Sequence, residues 1–327
     1  MLPVQLRLRY KGDLGRLFSF WRVVFFGFGP AGLNMRMKNL KLIPLSVLLI
    51  FLSACSEASQ PTAADQVELA ATAETHGNDI PIATPIANAA PANQVITRRI
   101  AYGEIDARNL YGYLSVPEGA TGSMPALIVI HEWWGLNENI IATSERLAAE
   151  GYVTLAVDLY GDKVAEAPKE AMKLMRGVMS EPDLAVDNLK QAYEYLVIDA
   201  AVSKVGVIGW CFGGRWSLQT ALALPNDVDA MVMYYGSVEP DKARLATLSM
   251  PILGLFAGDD PIVRPNTVEL FRKNLDDLGK TANVYIYEDS QHGFANPSGM
   301  AYDADAAQDA WQKTTDFFHE HLASIKD

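Results

Sequence analysis

From about residue 98 the chain alternates between short runs of apolar, often β-branched residues and longer stretches whose apolar positions recur every three or four residues. The runs at 110–116, 126–131, 153–158, 204–210, 230–235, 252–257 and 283–288 predict strands. Several are apolar at successive positions, as expected of strands covered on two sides. The stretches 140–150, 165–179, 183–198, 215–223, 265–278 and 304–324 predict helices. Strands alternating with helices imply an α/β fold, with a mostly parallel central sheet flanked by helices on both faces. In such sheets, ligands bind beyond the carboxyl ends of the strands, so catalytic groups belong on the loops that follow them. Residues 98–327 have the length of one sizeable domain, and no internal repeat is present.

The pattern upstream is different. Residues 37–55 read MKNLKLIPLSVLLIFLSAC: two lysines, an apolar stretch, then small residues before Cys55. This is the layout of a secretory signal rather than a spanning helix, being short and followed at once by polar sequence. The LSAC ending resembles the lipobox of bacterial lipoproteins, which implies that Cys55 is acylated, becomes the first mature residue and tethers the chain to a lipid bilayer. Residues 1–36 carry a second apolar patch at 18–28 and several arginines. Their presence ahead of a complete signal suggests a start at Met37, the alternative being a longer leader. Ser56, rather than an aspartate, follows the lipidated cysteine. By resemblance to lipoprotein sorting in a Gram-negative envelope, this favours the periplasmic side of the outer membrane. Residues 56–94 are rich in Ala, Pro, Thr, Ser and Asn without a sustained period, and read as a solvated tether without regular structure. The expected organisation is a leader at 1–54, a lipid-attached linker at 55–97 and a catalytic domain at 98–327.

Charge changes once the leader is set aside. The whole chain is −12 at neutral pH, but residues 55–327 hold 19 basic and 38 acidic residues, a net −19. That sign argues against nucleic acid and against electrostatic adhesion to anionic lipid, so attachment is expected from acylation alone.

Candidate chemistry is concentrated at 204–216, KVGVIGWCFGGRW: an apolar run, a tight turn and the start of a helix, with Cys211 at the apex. This is the context of a nucleophile elbow, and the amides at the start of the following helix favour a thiolate. Taken alone, Cys211 also fits a small buried hydrophobe beside glycines that allow close packing. With Cys55 acylated, no partner remains for a disulfide. Asp259 and Asp260 follow the strand of PILGLFAGDDPIV, and His292 follows the next strand in VYIYEDSQHGF. Each could be an ordinary turn or loop residue. Together they follow the α/β-hydrolase order of nucleophile, acid and histidine. His131, His319 and His321 lack a companion cluster, no metal-site spacing is found, and no cofactor is expected.

With these motifs in place, the region 100–325 resembles the dienelactone hydrolase family of α/β hydrolases. The resemblance rests on IHEWWG at 130–135, VDLYG at 157–161, GWCFGG at 209–214, AGDDP at 257–261 and HGFAN at 292–296. It implies Cys211 as nucleophile, His292 as general acid and base, Asp260 rather than Asp259 as the residue orienting it, and Glu132 as a carboxylate that helps activate the thiol. The backbone amides of Trp133 and Phe212 are the expected oxyanion donors. Trp133, Trp134 and Trp210 either line an aromatic mouth or pack the core beneath it. The family holds a substrate carboxylate with two arginines, whose positions are Asp162 and Asn296 here. Lys163 or Arg215 could compensate, although neither reproduces the family's fork. A neutral, small-molecule ester or lactone is therefore the expected substrate. Two other classes remain open: a thioesterase or cysteine amidohydrolase on the same scaffold, and a catalytically silent binding lipoprotein.

Overall fold

In the computed structural model, residues 60–80 and 90–322 are described, and all belong to the same unit of the chain, residues 57–327. Cys55, the leader and the rest of the tether lie outside them. The strands are β1 Val95–Ile105, β2 Arg108–Pro117, β3 Ala126–Ile130, β4 Val153–Val157, β5 Val205–Trp210, β6 Ala230–Tyr234, β7 Ile252–Asp259 and β8 Ala282–Gln291. The helices are α1 Ala63–His76, α2 Glu138–Ala149, α3 Pro168–Ser180, α4 Pro182–Ile198, α5 Phe212–Ala223, α6 Lys242–Leu245, α7 Pro265–Asp277 and α8 Ala304–Leu322.

The eight strands form one sheet in the order β1-β2-β4-β3-β5-β6-β7-β8. β1 and β2 run antiparallel to their neighbours, and β3 to β8 pair in parallel. β3, β4, β5 and β6 are buried at every position, because helices cover both faces of the sheet. This is an α/β-hydrolase fold. Strand order reverses at β3, with β4 on one side and β5 on the other. The carboxyl ends of β3 and β5 therefore flank the crevice in which such sheets bind ligands.

All seven strands and six helices read from periodicity are present, with ends shifted by a few residues. Two longer elements were not foreseen. β1, VITRRIAYGEI, is an edge strand with little fully buried surface and two adjacent arginines, so it lacks the apolar run that marks a buried strand. α1 lies inside the stretch expected to be a structureless tether and corrects that expectation for residues 63–76. It begins with a capping box: the Thr62 hydroxyl accepts from the Asp65 amide, and the Asp65 carboxylate accepts from the Thr62 amide.

Candidate active site

Cys211 stands between β5 and α5 with φ 52° and ψ −117°, a left-handed conformation that costs an ordinary side chain energy. The surrounding backbone enforces it. A Cβ at Gly209 would lie 2.3 Å from the Gly213 carbonyl oxygen, and one at Gly213 would lie 2.3 Å from that of Ile130. Only glycines let the turn close onto β3. The Cys211 amide donates to the Tyr234 carbonyl at 3.0 Å, which ties the elbow to β6. The Phe212 and Trp133 amides donate to no acceptor among the described residues.

Asp260 and His292, on the loops after β7 and β8, are brought together in the interior. Asp260 Oδ2 lies 2.7 Å from His292 Nδ1, while Oδ1 accepts from the Ile262 and Val263 amides at 2.8 Å each. The two amides fix the carboxylate, and the carboxylate fixes the ring. Asp259 is exposed at the rim instead. A carboxylate can only accept, so Nδ1 carries the proton and the other ring nitrogen, Nε2, is left for chemistry. Nε2 is buried and has no hydrogen-bond partner of normal geometry. Burial disfavours the imidazolium, but the Cys211 sulfur, once it carries charge, and then Asp260 outweigh this and raise the His292 pKa, so the ring takes up the proton that the sulfur releases. Burial pushes the Cys211 thiol up, and His292 opposes this. At rest, desolvation thus outweighs the imidazole at Cys211. Catalytic hydrogen bonds often tighten only when substrate enters.

Glu132, after β3, is 8% exposed. Tyr235 Oη donates to its Oε1 at 3.3 Å and Asn296 Nδ2 to its Oε2 at 2.5 Å. Burial raises its pKa to about 7, partly offset by His292. Tyr235 is a site residue that the sequence reading missed. It has φ 33° and packs edge-on against His292, with ring centroids 5.1 Å apart. Its position directly after β6, at the same sheet edge as Cys211, was the available signal.

The remaining candidates separate. Trp133 lines a cavity of about 520 Å³ with Glu132, Cys211, His292 and Asn296. Trp134 is buried against Trp133, ring centroids 4.6 Å apart, and does not line that cavity. Trp210 lines a neighbouring cavity of about 280 Å³ with Arg146, Tyr234 and Trp311, which meets the first at Glu132 and Asn296. Lys163 and Arg215 do not line the Cys211 cavity, which corrects their expected role. Lys163 is exposed on the loop after β4. The Arg215 guanidinium is committed to α1, with Nη2 2.5 Å from Asp65 Oδ1 and Nη1 2.7 Å from Glu68 Oε2. Asn296 is held on Glu132. His131 is structural: Nδ1 donates to the Glu132 carbonyl at 2.6 Å, and Nε2 accepts from the Leu159 amide at 3.1 Å.

This arrangement can present a sulfur nucleophile, a carboxylate-oriented imidazole and two amide donors to one carbonyl. Residues 110–322 match the dienelactone hydrolase family. The chain belongs to that family. Protein usf of Aquifex pyrophilus is 35% identical over 218 residues, 64% of this chain and 93% of that protein. An Escherichia coli protein named "Putative carboxymethylenebutenolidase" is 30% identical over 228 residues, 65% of this chain and 83% of that protein. Among solved structures, a "Putative Dienelactone Hydrolase" from Klebsiella pneumoniae superposes with a TM-score of 0.63 at 25% identity, covering 70% of this chain and all of that one. The protein is thus a dienelactone hydrolase-like hydrolase. The matched region contains Glu132, Cys211, Asp260 and His292, and excludes α1 and β1.

Proposed function

We propose that the protein hydrolyses neutral carboxylic esters or lactones through Cys211, His292 and Asp260, by way of a thioester acyl-enzyme. The Cys211 proton passes to His292 Nε2, and the thiolate adds to the substrate carbonyl. The negative charge that develops on oxygen is met by the Phe212 and Trp133 amides. When the intermediate collapses, the bond from the acyl carbon to the alcohol oxygen breaks, and the imidazolium returns its proton to the departing oxygen. Water then adds to the thioester with His292 as base, the C–S bond breaks, and the carboxylic acid leaves as Cys211 is regenerated. Asp260 keeps Nδ1–H in place throughout.

One observation carries this reading: Asp260 locks His292 at 2.7 Å, leaving Nε2 without a bonded partner beside a thiol on a strained turn. The cavity supports a neutral substrate. Its lining includes Glu132, Asp79 and Asp259 but no lysine or arginine among the described residues. A substrate carboxylate would meet three acids and no cation. For localisation, we keep the reading of a lipid-anchored envelope protein. Its support is the LSAC sequence at Cys55, and mass spectrometry of the mature N-terminus tests it.

Cys211→Ala is expected to lower kcat on p-nitrophenyl esters and small lactones by about 10⁴-fold or more without moving the thermal midpoint. The wild-type enzyme, quenched during turnover, should show an acyl adduct on the peptide containing Cys211. Turnover that persists in Cys211→Ala would refute the mechanism.

A further inference from the structure

We propose that residues 60–79 form the roof of the catalytic cavity, and that His76 uses its Nε2 atom to recognise a substrate hydroxyl close to the scissile carbonyl. This rests on the ester or lactone hydrolase reading and adds a substrate feature to it.

Three observations converge. First, the roof is docked. Asp65 and Glu68 ion-pair with the Arg215 guanidinium one turn into α5, and Leu69 and Thr72 are buried. Arg215 follows Cys211 by four residues on the elbow's own helix, so the anchor of the roof is rigidly connected to the nucleophile. Second, the far end of α1 reaches the chemistry. Thr75, His76, Asn78 and Asp79 line the same cavity as Cys211 and His292. The His76 ring lies 5.4 Å from the His292 ring and 5.6 Å from that of Trp133, centroid to centroid. Third, His76 is oriented. Its Nδ1 lies 2.7 Å from Asp79 Oδ2, and the residue is 9% exposed.

The arrangement repeats that of the adjoining His292 and Asp260. A carboxylate partner fixes the proton on Nδ1 and leaves a lone pair on Nε2. Nε2 has no protein partner among the described residues. A neutral imidazole nitrogen accepts from a hydroxyl. Because the two imidazoles touch ring to ring, a substrate carbonyl that reaches Cys211 beside His292 brings a hydroxyl one or two carbons away within reach of His76 Nε2. Asp79 is then a positioning residue, acting through His76. The family match begins at residue 110 and does not include this roof.

The test uses full-length protein and two p-nitrophenyl esters, butyrate and β-hydroxybutyrate. Wild type is expected to prefer the hydroxylated ester in kcat/KM. His76→Phe, which keeps a ring but has no acceptor, should reduce that preference by about 5- to 10-fold, the value of one hydrogen bond. His76→Gln, which retains an acceptor, should recover part of it, and Asp79→Asn should lower it less than His76→Phe does. Arg215→Gln or Glu68→Gln loosens the roof, and should speed iodoacetamide alkylation of Cys211 at least about three-fold as local opening becomes cheaper. No wild-type preference, or a preference unchanged in His76→Phe, overturns the recognition of a hydroxyl by His76. An unchanged alkylation rate in both loosening variants overturns the roof. Either result leaves the Cys211→Ala test untouched, so failure of the roof and failure of the hydrolase reading are separable.

Discussion

The floor and roof of the cavity are held by different forces. The floor, formed where β3, β5, β7 and β8 end, is fixed by backbone: fully buried strands, glycines in direct contact with carbonyl oxygens, and an Asp260 carboxylate pinned by two amides. The roof is fixed by side chains: a short helix with one buried leucine and a double ion pair to Arg215. Close packing is insensitive to salt and intolerant of added volume, whereas partly exposed charge pairs weaken as ionic strength rises. Positional precision therefore resides in the floor, and the roof is expected to open without unfolding the domain.

The sharpest way to break this contrast is to add one methyl group to the floor. Gly213→Ala places a carbon against the carbonyl oxygens of Ile130 and His131, neither of which can swing aside. A loss of about 3 kcal/mol or more is expected by urea unfolding, together with loss of activity. A small loss would mean that the elbow is less rigid than its contacts imply.

The next effect is electrostatic and belongs to Glu132. Its carboxyl has a pKa of about 7 because burial disfavours its charge. A carboxyl whose folded value is raised binds its proton more tightly in the native state. The stability this gives is complete below the unfolded value of about 4.3 and is lost as pH climbs through 7, a change of about 3–4 kcal/mol. Glu132→Gln should flatten stability across that window, as measured by denaturant midpoints at several pH values. The Glu132 charge also raises the Cys211 thiol pKa. The same variant should therefore move the pH profile of Cys211 alkylation toward lower pH. If the profile stays in place, the two groups do not communicate.

The smallest effect is on the roof. Arg215→Gln leaves Asp65 and Glu68 facing each other without their cation, at an expected cost of about 2 kcal/mol, less than a deeply buried pair because Arg215 is partly solvated. Hydrogen exchange should locate the loss in residues 63–76, and wild type should show a milder form of it at molar salt. Exchange that rises across the whole domain would show that roof and floor are one cooperative unit.

Much of the floor was legible in the sequence because its signals are local. Apolar runs mark β3 to β8, small residues mark the elbow at Cys211, and Asp260 and His292 each follow a strand. Their meeting required only the strand order that such alternation imposes. Lys163 and Arg215 were misread because a cation near a motif does not reveal which carboxylate it finds. Arg215 finds Asp65 and Glu68, about 150 residues earlier. Tyr235 was passed over because a tyrosine ending a buried strand looks like core until its hydroxyl meets Glu132.

By itself, the sequence determined strands β2 to β8, the elbow and the order of the catalytic groups, since each depends on hydrophobic period or turn chemistry within a few residues. Tertiary structure alone decided the fate of residues 60–80. An alanine-rich segment with few large apolar groups has too little surface to bury by itself. It becomes a helix here, with His76 beside His292, because a distant arginine and a waiting groove supply the interactions that its own residues lack.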